Sequence, residues 1–341
     1  METKDFTVFQ PQVEGKNLLG LMRGYQQANF LYQAFTTGIF ECLADEPQKI
    51  EDIAEKMGYQ ADRTRFFLDA LTAMELAVKE GEQYRITPLA KTYLCRDNPF
   101  FLGDLLDMQF SIKQGSAWSM MGSWLQGNPT GEEHNPQVIF QASFVRAMAQ
   151  RVLSDNSIFH TVEMISRHPG FAEATNILDL GGGHGLFPMA LQMKKPDLQI
   201  TVFDLPQVRG VSEEYVHVFG GEVDFCPGNF YEDELPGNQD IILAFDILHP
   251  VVPAQKEKVF AKVYHALRKG GYLFYKLWFL DESRTKPLRA ALFALKCKIS
   301  NSDSHVYTYR EAIEMLEKIG FEVEDMLPVG DNASGILVAR K

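Results

Sequence analysis

The stretch NILDLGGGHGLFPMAL, residues 176–191, decides the fold. A short apolar run meets a cluster of glycines, and a second apolar run follows at helical spacing. Glycine loses more conformational freedom on folding than any other residue, so several together imply a backbone that turns tightly or approaches a ligand closely. Strand, glycine loop and helix, in that order, open a doubly wound sheet, whose ligands bind beyond the carboxyl ends of the strands.

Two ligand classes compete for such a loop. A pyrophosphate wants GxGxxG, so that the phosphates sit on the N-terminus of the following helix. Counted from Gly181, Leu186 stands where the third glycine belongs; counted from Gly183, Pro188 does. The spacing present is Asp179-x-Gly181-x-Gly183-x-Gly185, which offers backbone room and an acid for an amino group. S-adenosylmethionine (SAM) needs those two things and no phosphate cradle. The next strand ends in VFDLP, so Asp204 lies about twenty residues beyond the loop, where a carboxylate accepts both ribose hydroxyls. That acid alone suits NAD equally; taken with the loop spacing it favours SAM. Close strand–helix packing accounts for one of the glycines but not for all. His184, inside the loop, reads as a lining residue.

Strand–helix alternation continues downstream. LQITVFDLP, EVDFCPGNF, DIILAFDIL, YLFYKLWFL and SGILVARK read as strands. LFPMALQMKKP, AQKEKVFAKVYHALRKGG (ending at its glycines) and REAIEMLEKIGF read as helices. The pattern predicts an α/β domain with a parallel sheet covered on both faces. Upstream, NLLGLMRGYQQANFLYQAFTTGIFECLA and KIEDIAEKMGYQADRTRFFLDALTAMELAVKE repeat apolar residues at helical intervals, punctuated at Gly58. AVKEGEQYRITPLAKTYL then reads as strand, turn, strand, and a helix opening after Thr87-Pro88. Helices followed by a β-hairpin outline a winged helix. Between these regions, from Phe100 to about Arg167, helical stretches rich in Met, Phe and Trp read mostly as core, with Gly127–Pro136 a surface loop. Phe110, Trp118, Phe144 and Met148 are the candidates there for an apolar pocket wall. The expected organisation is a winged-helix-like domain over 1–99, a helical linker and pocket region over 100–168, and a Rossmann-like domain over 169–341.

The chain has 341 residues, 45% hydrophobic and 23% charged, enough for more than one domain with a real core. Forty-five acids against 33 basic residues leave a formal charge of −12, which disfavours a general nucleic-acid binder. The start, METKDFTVFQPQVEGKN, reads as neither signal nor transit peptide, and no apolar run is as long as a membrane span. Cys42, Cys95, Cys226 and Cys297 stand far apart without CxxC spacing, against a zinc ribbon or a disulfide framework. A reduced, cytoplasmic protein without a metal site is expected.

The chain resembles, over nearly its whole length, the SAM-dependent O-methyltransferases of the hydroxyindole, caffeate and bacterial-polyketide type. TTGIFECLADEPQKIEDIAEKMG through ITPLAKTYL resembles the family's winged-helix dimerisation domain, FVRAM its central pocket helix, and DLGGGHG its first SAM motif. FDLP resembles the ribose segment, PGNFYEDELP the adenine segment, and DILHP the stretch that carries the catalytic histidine. The resemblance implies a homodimer acting on a small molecule, with SAM lined by Gly181, Gly183 and Gly185, its ribose on Asp204, and its adenine between Asn229 and Phe230. The family usually has an acid at the position of Asn229; an amide oxygen can still accept from the adenine amino group. His249 falls on the family's general base, and an imidazole can take a proton at neutral pH without carrying permanent charge.

The sequence departs from the family beside that base. Pro250-Val251 replaces the usual Asp-Trp, and the two acids that orient the imidazole align with Leu277 and Val306. Asp246 and Asp281 are nearby in sequence, and Lys276 and His305 adjoin the altered positions, where either could meet an anionic or metal-bearing substrate. The reading is O-methylation of an aromatic or polyketide-like hydroxyl, with transfer to C, N or S, or to a tetrapyrrole-like acceptor, left open. The competing reading is a winged-helix regulator that senses SAM. Its recognition helix would be ADRTRFFLDALTAME, where Arg63 and Arg65 face Asp62, Asp69 and Glu75, little charge with which to neutralise phosphates.

Overall fold

The computed structural model describes residues 15–110, 118–128, 140–249, 251–301, 303–329 and 334–341. It divides into two compact units, one running to Phe101 and one from Leu102 onward. In the first, α1 (Lys16–Thr36) and α2 (Ile39–Cys42) precede β1 (Gln48–Lys49), α3 (Ile50–Met57) and α4 (Ala61–Ala73). The hairpin β2 (Ala77–Glu80) and β3 (Gln83–Ile86) then leads to α5 (Pro88–Leu94). The small antiparallel sheet runs β1-β3-β2. Gly58 ends α3 in the left-handed region that the turn requires, at φ 69°. Thr87 caps α5 by accepting from the Ala90 N–H at 3.2 Å, with Pro88 in the first helical position. Phe40, Ile53, Leu68 and Tyr84 are each fully buried, while Leu18, Leu21, Met22 and Tyr25 of α1 lie exposed.

The second unit begins with α6 (Gly103–Phe110), α7 (Met121–Leu125), α8 (Ala142–Ser154), α9 (Ser157–Ser166) and α10 (Pro169–Glu173). The Gly127–Pro136 loop falls outside the described residues from residue 129 on. Strands β4 (Asn176–Leu180), β5 (Gln199–Asp204), β6 (Asp224–Pro227) and β7 (Gln239–Phe245) alternate with α11 (Leu186–Lys194) and α12 (Arg209–Phe219). They are followed by α13 (Pro253–Ala266), β8 (Leu267–Leu277), α14 (Leu288–Ser300), α15 (Tyr309–Ile319), β9 (Glu322–Val329) and β10 (Ser334–Arg340). The sheet order is β6-β5-β4-β7-β8-β10-β9.

Three features differ from the sequence reading. The sheet is not wholly parallel: β10 runs antiparallel to both β8 and β9. Only residues 330–333 separate β9 from β10, far short of the dozen or more that a parallel crossover needs. Strand β9 and helices α12 and α14 escaped the reading; β9 lies at the sheet edge, where its acids and Pro328 blur the alternation that marks a strand. Finally, α13 stops at Ala266, and the glycines at 270 and 271 lie inside β8. Gly270, at φ 78°, accommodates the irregular pairing at the start of that strand.

All seven residues of β7 are buried, as expected for a central strand covered on both faces. Leu178, Ile242 and Leu273 of the sheet pack with Phe260 of α13 and Leu316 of α15 on one side. From β4 the order proceeds to β5 in one direction and to β7 in the other. The crevice of the fold therefore opens at the carboxyl ends of β4 and β7. The four cysteines are unpaired, and no described helix is long and apolar enough to cross a membrane.

Candidate active site

The glycine loop leaves the carboxyl end of β4 with Gly181, Gly183 and Gly185 all at positive φ, between 44° and 69°. The Gly183 N–H donates to Asp204 Oδ2 at 2.8 Å, which ties the loop to the end of β5. Gly182, which the spacing argument passed over, is as constrained as the others. A Cβ there would stand 2.2 Å from Asp179 Oδ2, so only glycine lets the carboxylate fold back beneath the loop. His184 is buried within the loop, its Nδ1 accepting from the Leu186 N–H at 3.1 Å.

Two acids lie under this loop. Asp179 is 1% exposed, and its Oδ2 has no hydrogen-bond partner among the described residues. Burial, with the Asp204 charge adding to it, pushes its carboxyl up to about 8. Burial also raises Asp204, to about 6, although the N–H groups of Leu205 and Gly183 hold its carboxylate at 2.7 and 2.8 Å. A buried, partnerless carboxyl beside a second one calls for a cation and for hydroxyl donors. An ammonium on Asp179 and ribose hydroxyls on Asp204 meet that demand, so the residues fit SAM; a pyrophosphate would meet two carboxyl groups instead.

In the segment expected to flank adenine, the Phe230 ring lies against the loop, 3.5 Å from where a Cβ on Gly181 would stand. The Asn229 amide oxygen accepts from the Tyr231 N–H at 3.1 Å, leaving one lone pair and the NH2 group for a ligand. Lys262 of α13 fastens this turn, donating to the carbonyls of Phe230, Tyr231 and Asp233.

His249 follows β7 on a sharply bent segment. Asp246 and Leu248 both take positive φ, 52° and 64°, which is costly for a leucine and marks the segment as held by its surroundings. Ile247 between them packs on the glycine loop, its Cγ2 2.7 Å from the Cβ position of Gly181. His249 itself meets Phe293 edge-to-face at 4.7 Å. Burial pushes the imidazole down to about 4; the Asp246 carboxylate opposes this, and the Lys256 and Lys276 charges add to it. The ring is therefore neutral at neutral pH and able to accept a proton. Pro250 lies outside the described residues.

The acids expected at Leu277 and Val306 have no counterpart there. Leu277 is part of the core, and Val306 is buried with Leu280 and Ala290. The carboxylate that acts on His249 is Asp246, which lines the cleft with part of its side chain open and is ion-paired to buried Lys276. Burial tends to raise its carboxyl, but the charge of Lys276 and its hydrogen bond lead the opposing effects that bring it below its ordinary value. Asp281 is engaged elsewhere, accepting from the Ser283 hydroxyl at 2.8 Å and the Lys286 N–H at 3.1 Å. His305 faces Glu311 at 3.3 Å.

The pocket candidates divide. Phe144 and Met148 are half-buried on α8, one turn apart, and Phe144 meets Phe140 edge-to-face at 5.5 Å. Val145 of the same helix packs over Gly183. Phe110 is half-buried at the end of α6, and Trp118 keeps 42% of its surface exposed. Sequence reasoning missed Trp278, Phe293 and Arg151. The Trp278 ring meets Phe293 at 4.7 Å, and the Arg151 guanidinium lies 4.6 Å from the Trp278 centroid. The helical face shared by Phe144, Met148 and Arg151 was the available signal for the last of these.

Residues 134–322 match the family described as O-methyltransferase domain, and residues 19–96 match the O-methyltransferase dimerisation domain. The N,N-dimethyltransferase OxyT of Streptomyces rimosus is 28% identical over 98% of this chain and 99% of its own. The tetracenomycin polyketide synthesis 8-O-methyl transferase TcmO of Streptomyces glaucescens is 26% identical over 89% of this chain and 91% of its own. Human N-acetylserotonin methyltransferase, solved in complex with SAM, superposes with a TM-score of 0.78 at 20% identity, covering 98% of this chain and 99% of that one.

Proposed function

The chain belongs to the O-methyltransferase family and takes its methyl group from SAM, and on that premise we propose that it methylates a hydroxyl oxygen on an aromatic or polyketide-like small molecule, with His249 as general base. The observation that carries this reading is the neutral, enclosed His249 imidazole on a segment packed against the glycine loop. Bound SAM supplies a methyl already activated on a sulfonium, so the chain's own task is alignment and proton removal. Asp179, the loop glycines, Asp204, Asn229 and Phe230 hold the donor. His249 takes the hydroxyl proton at a ring nitrogen, and the Asp246 carboxylate stabilises the imidazolium that results.

The test is His249→Ala. We expect kcat to fall by about 10²–10⁴-fold, the usual worth of a positioned base, while affinity for S-adenosylhomocysteine stays unchanged. Full turnover by the variant would remove His249 from the chemistry.

A second reading, transfer to nitrogen, draws on the N,N-dimethyltransferase relative and on the apolar residues at the two usual acid positions, Leu277 and Val306. Mass spectrometry of the product decides between them: a methoxy group favours the first reading, an N-methyl group the second.

The homodimer is part of the same proposal. Its support is the dimerisation-domain match together with the bare apolar side chains of α1, Leu21 and Tyr25 being 73% and 70% exposed. Sedimentation should give a dimer, and Leu21→Asp should weaken it; a wild-type monomer overturns the idea.

A further inference from the structure

Beyond the base, the acceptor side of the site is strongly basic, against the trend of a chain whose net charge is −12. Arg151 comes from α8, and Arg289 and Lys296 from α14. Both guanidinium carbons lie 4.6 Å from the centroid of the Trp278 ring. Burial lowers the Arg151 pKa, and the neighbouring Arg289 charge lowers it further. Burial lowers Lys296 as well, and it too feels the Arg151 charge.

Counter-charge is limited: the Asp155 and Asp246 carboxylates offset part of that lowering at Arg151, but neither contacts its guanidinium. Asp155 reaches Arg289 only at 3.9 Å, and Asp246 is committed to Lys276. Among the described residues the Arg151 side chain has neither a hydrogen bond nor an ion pair, although the protein encloses much of it. An enclosed guanidinium whose N–H groups have no acceptor is expensive unless something anionic completes it. Its surroundings say where that anion would sit. Arg151 shares a face of α8 with the pocket-wall residues Phe144 and Met148. In the other direction, Trp278 and Phe293 lead by successive edge-to-face contacts of 4.7 Å to His249.

We propose that the methyl acceptor is an aromatic acid, its carboxylate held by Arg151 and Arg289, its ring system against Trp278 and Phe293, and its nucleophilic atom at His249. Guanidinium groups suit this task because their planar donors match a carboxylate and their faces lie against aromatic rings. This deepens the proposed function and rests on the reading of His249 as marking the acceptor site.

The experiment uses the full chain saturated with S-adenosylhomocysteine, with a hydroxynaphthoate and the corresponding neutral hydroxynaphthamide as probes. The acid should bind at least about tenfold more tightly than the amide, the scale of one charge-assisted hydrogen bond. Added salt should erode that preference, and Arg151→Gln and Arg289→Gln should each remove most of it. Arg289, with 39% of its side chain exposed, gives the variant that tests the idea if Arg151→Gln fails to fold. Equal affinities, no binding of the acid, or a preference that survives the substitutions overturns the proposal. Cofactor binding is measured alongside: intact S-adenosylhomocysteine affinity without an acid preference sinks only this inference. Loss of that affinity in the wild-type protein sinks the methyltransferase reading itself.

Discussion

Asp246 and Lys276 form an ion pair at the carboxyl ends of neighbouring strands β7 and β8, and the same carboxylate acts on His249. The Asp246 N–H also donates to the Lys276 carbonyl at 2.9 Å, so main chain and side chains are locked together. One lysine thereby places the carboxylate beside the proposed base, in a chain with leucine and valine at the usual acid positions.

Removing Asp246 alone should do two kinds of harm, and a double variant separates them. Asp246→Asn leaves the Lys276 ammonium buried without a partner, at a cost of about 1–3 kcal/mol, below the value for a fully buried pair because Asp246 has an open face. Turnover should fall as well. Adding Lys276→Met should restore most of the stability in urea titrations but not kcat. Recovery of wild-type turnover by the double variant would show that Asp246 does not support the base.

SAM uptake should release a proton near neutral pH. Asp179, with its carboxyl at about 8, is largely protonated at pH 7 in the free protein, and an arriving ammonium favours the carboxylate. Affinity should therefore rise from pH 6 to 8, and the apparent binding enthalpy should change between buffers of different ionisation heat. Asp179→Asn should abolish both effects. Identical enthalpies in all buffers would mean the acid is already ionised.

Acid should destabilise the SAM-free protein through its enclosed imidazoles. His184 and His249 are both depressed from 6.5 to about 4, so between those values the unfolded chain binds more protons than the folded one. Stability then falls as pH drops from about 6.5 to about 4. Asp179 and Asp204 work the other way. Raised from 3.8 to about 8 and about 6, they hold protons in the folded state, and their contribution declines as pH rises through that window. His184→Asn retains an acceptor for the Leu186 N–H and removes one titrating ring. Its urea midpoint should change less between pH 6.5 and pH 4.5 than that of the wild type; an unchanged slope would exclude His184 as a contributor.

Gly182→Ala should lower stability by about 1–3 kcal/mol, the range for overpacking. Its Cβ would sit 2.2 Å from Asp179 Oδ2, so the carboxylate must move and SAM affinity should drop with it. Calorimetry of wild type and variant checks this, and an alanine variant with full affinity would show that the carboxylate's position under the loop does not matter.

The sequence by itself determined most of the order of elements and singled out the loop and acids proposed to hold the donor. Periodicity separates helix from strand, and Asp179, the loop glycines and Asp204 are set by local geometry: residues at the ends of adjacent strands must converge wherever the chain crosses from β4 to β5. The antiparallel end of the sheet was less legible, because it depends on how β9 and β10 pair and not on any local pattern. Tertiary structure alone decided the surroundings of the proposed base. Asp246 and Lys276 are thirty residues apart in sequence, and Arg151 and Trp278 are farther apart still; parallel pairing of β7 with β8 joins the first two, and helix α8 brings Arg151 to the second pair. Charge pairing and ring contact across such separations carry no periodic signature. They arise only when burial forces partnerless groups to find each other in space.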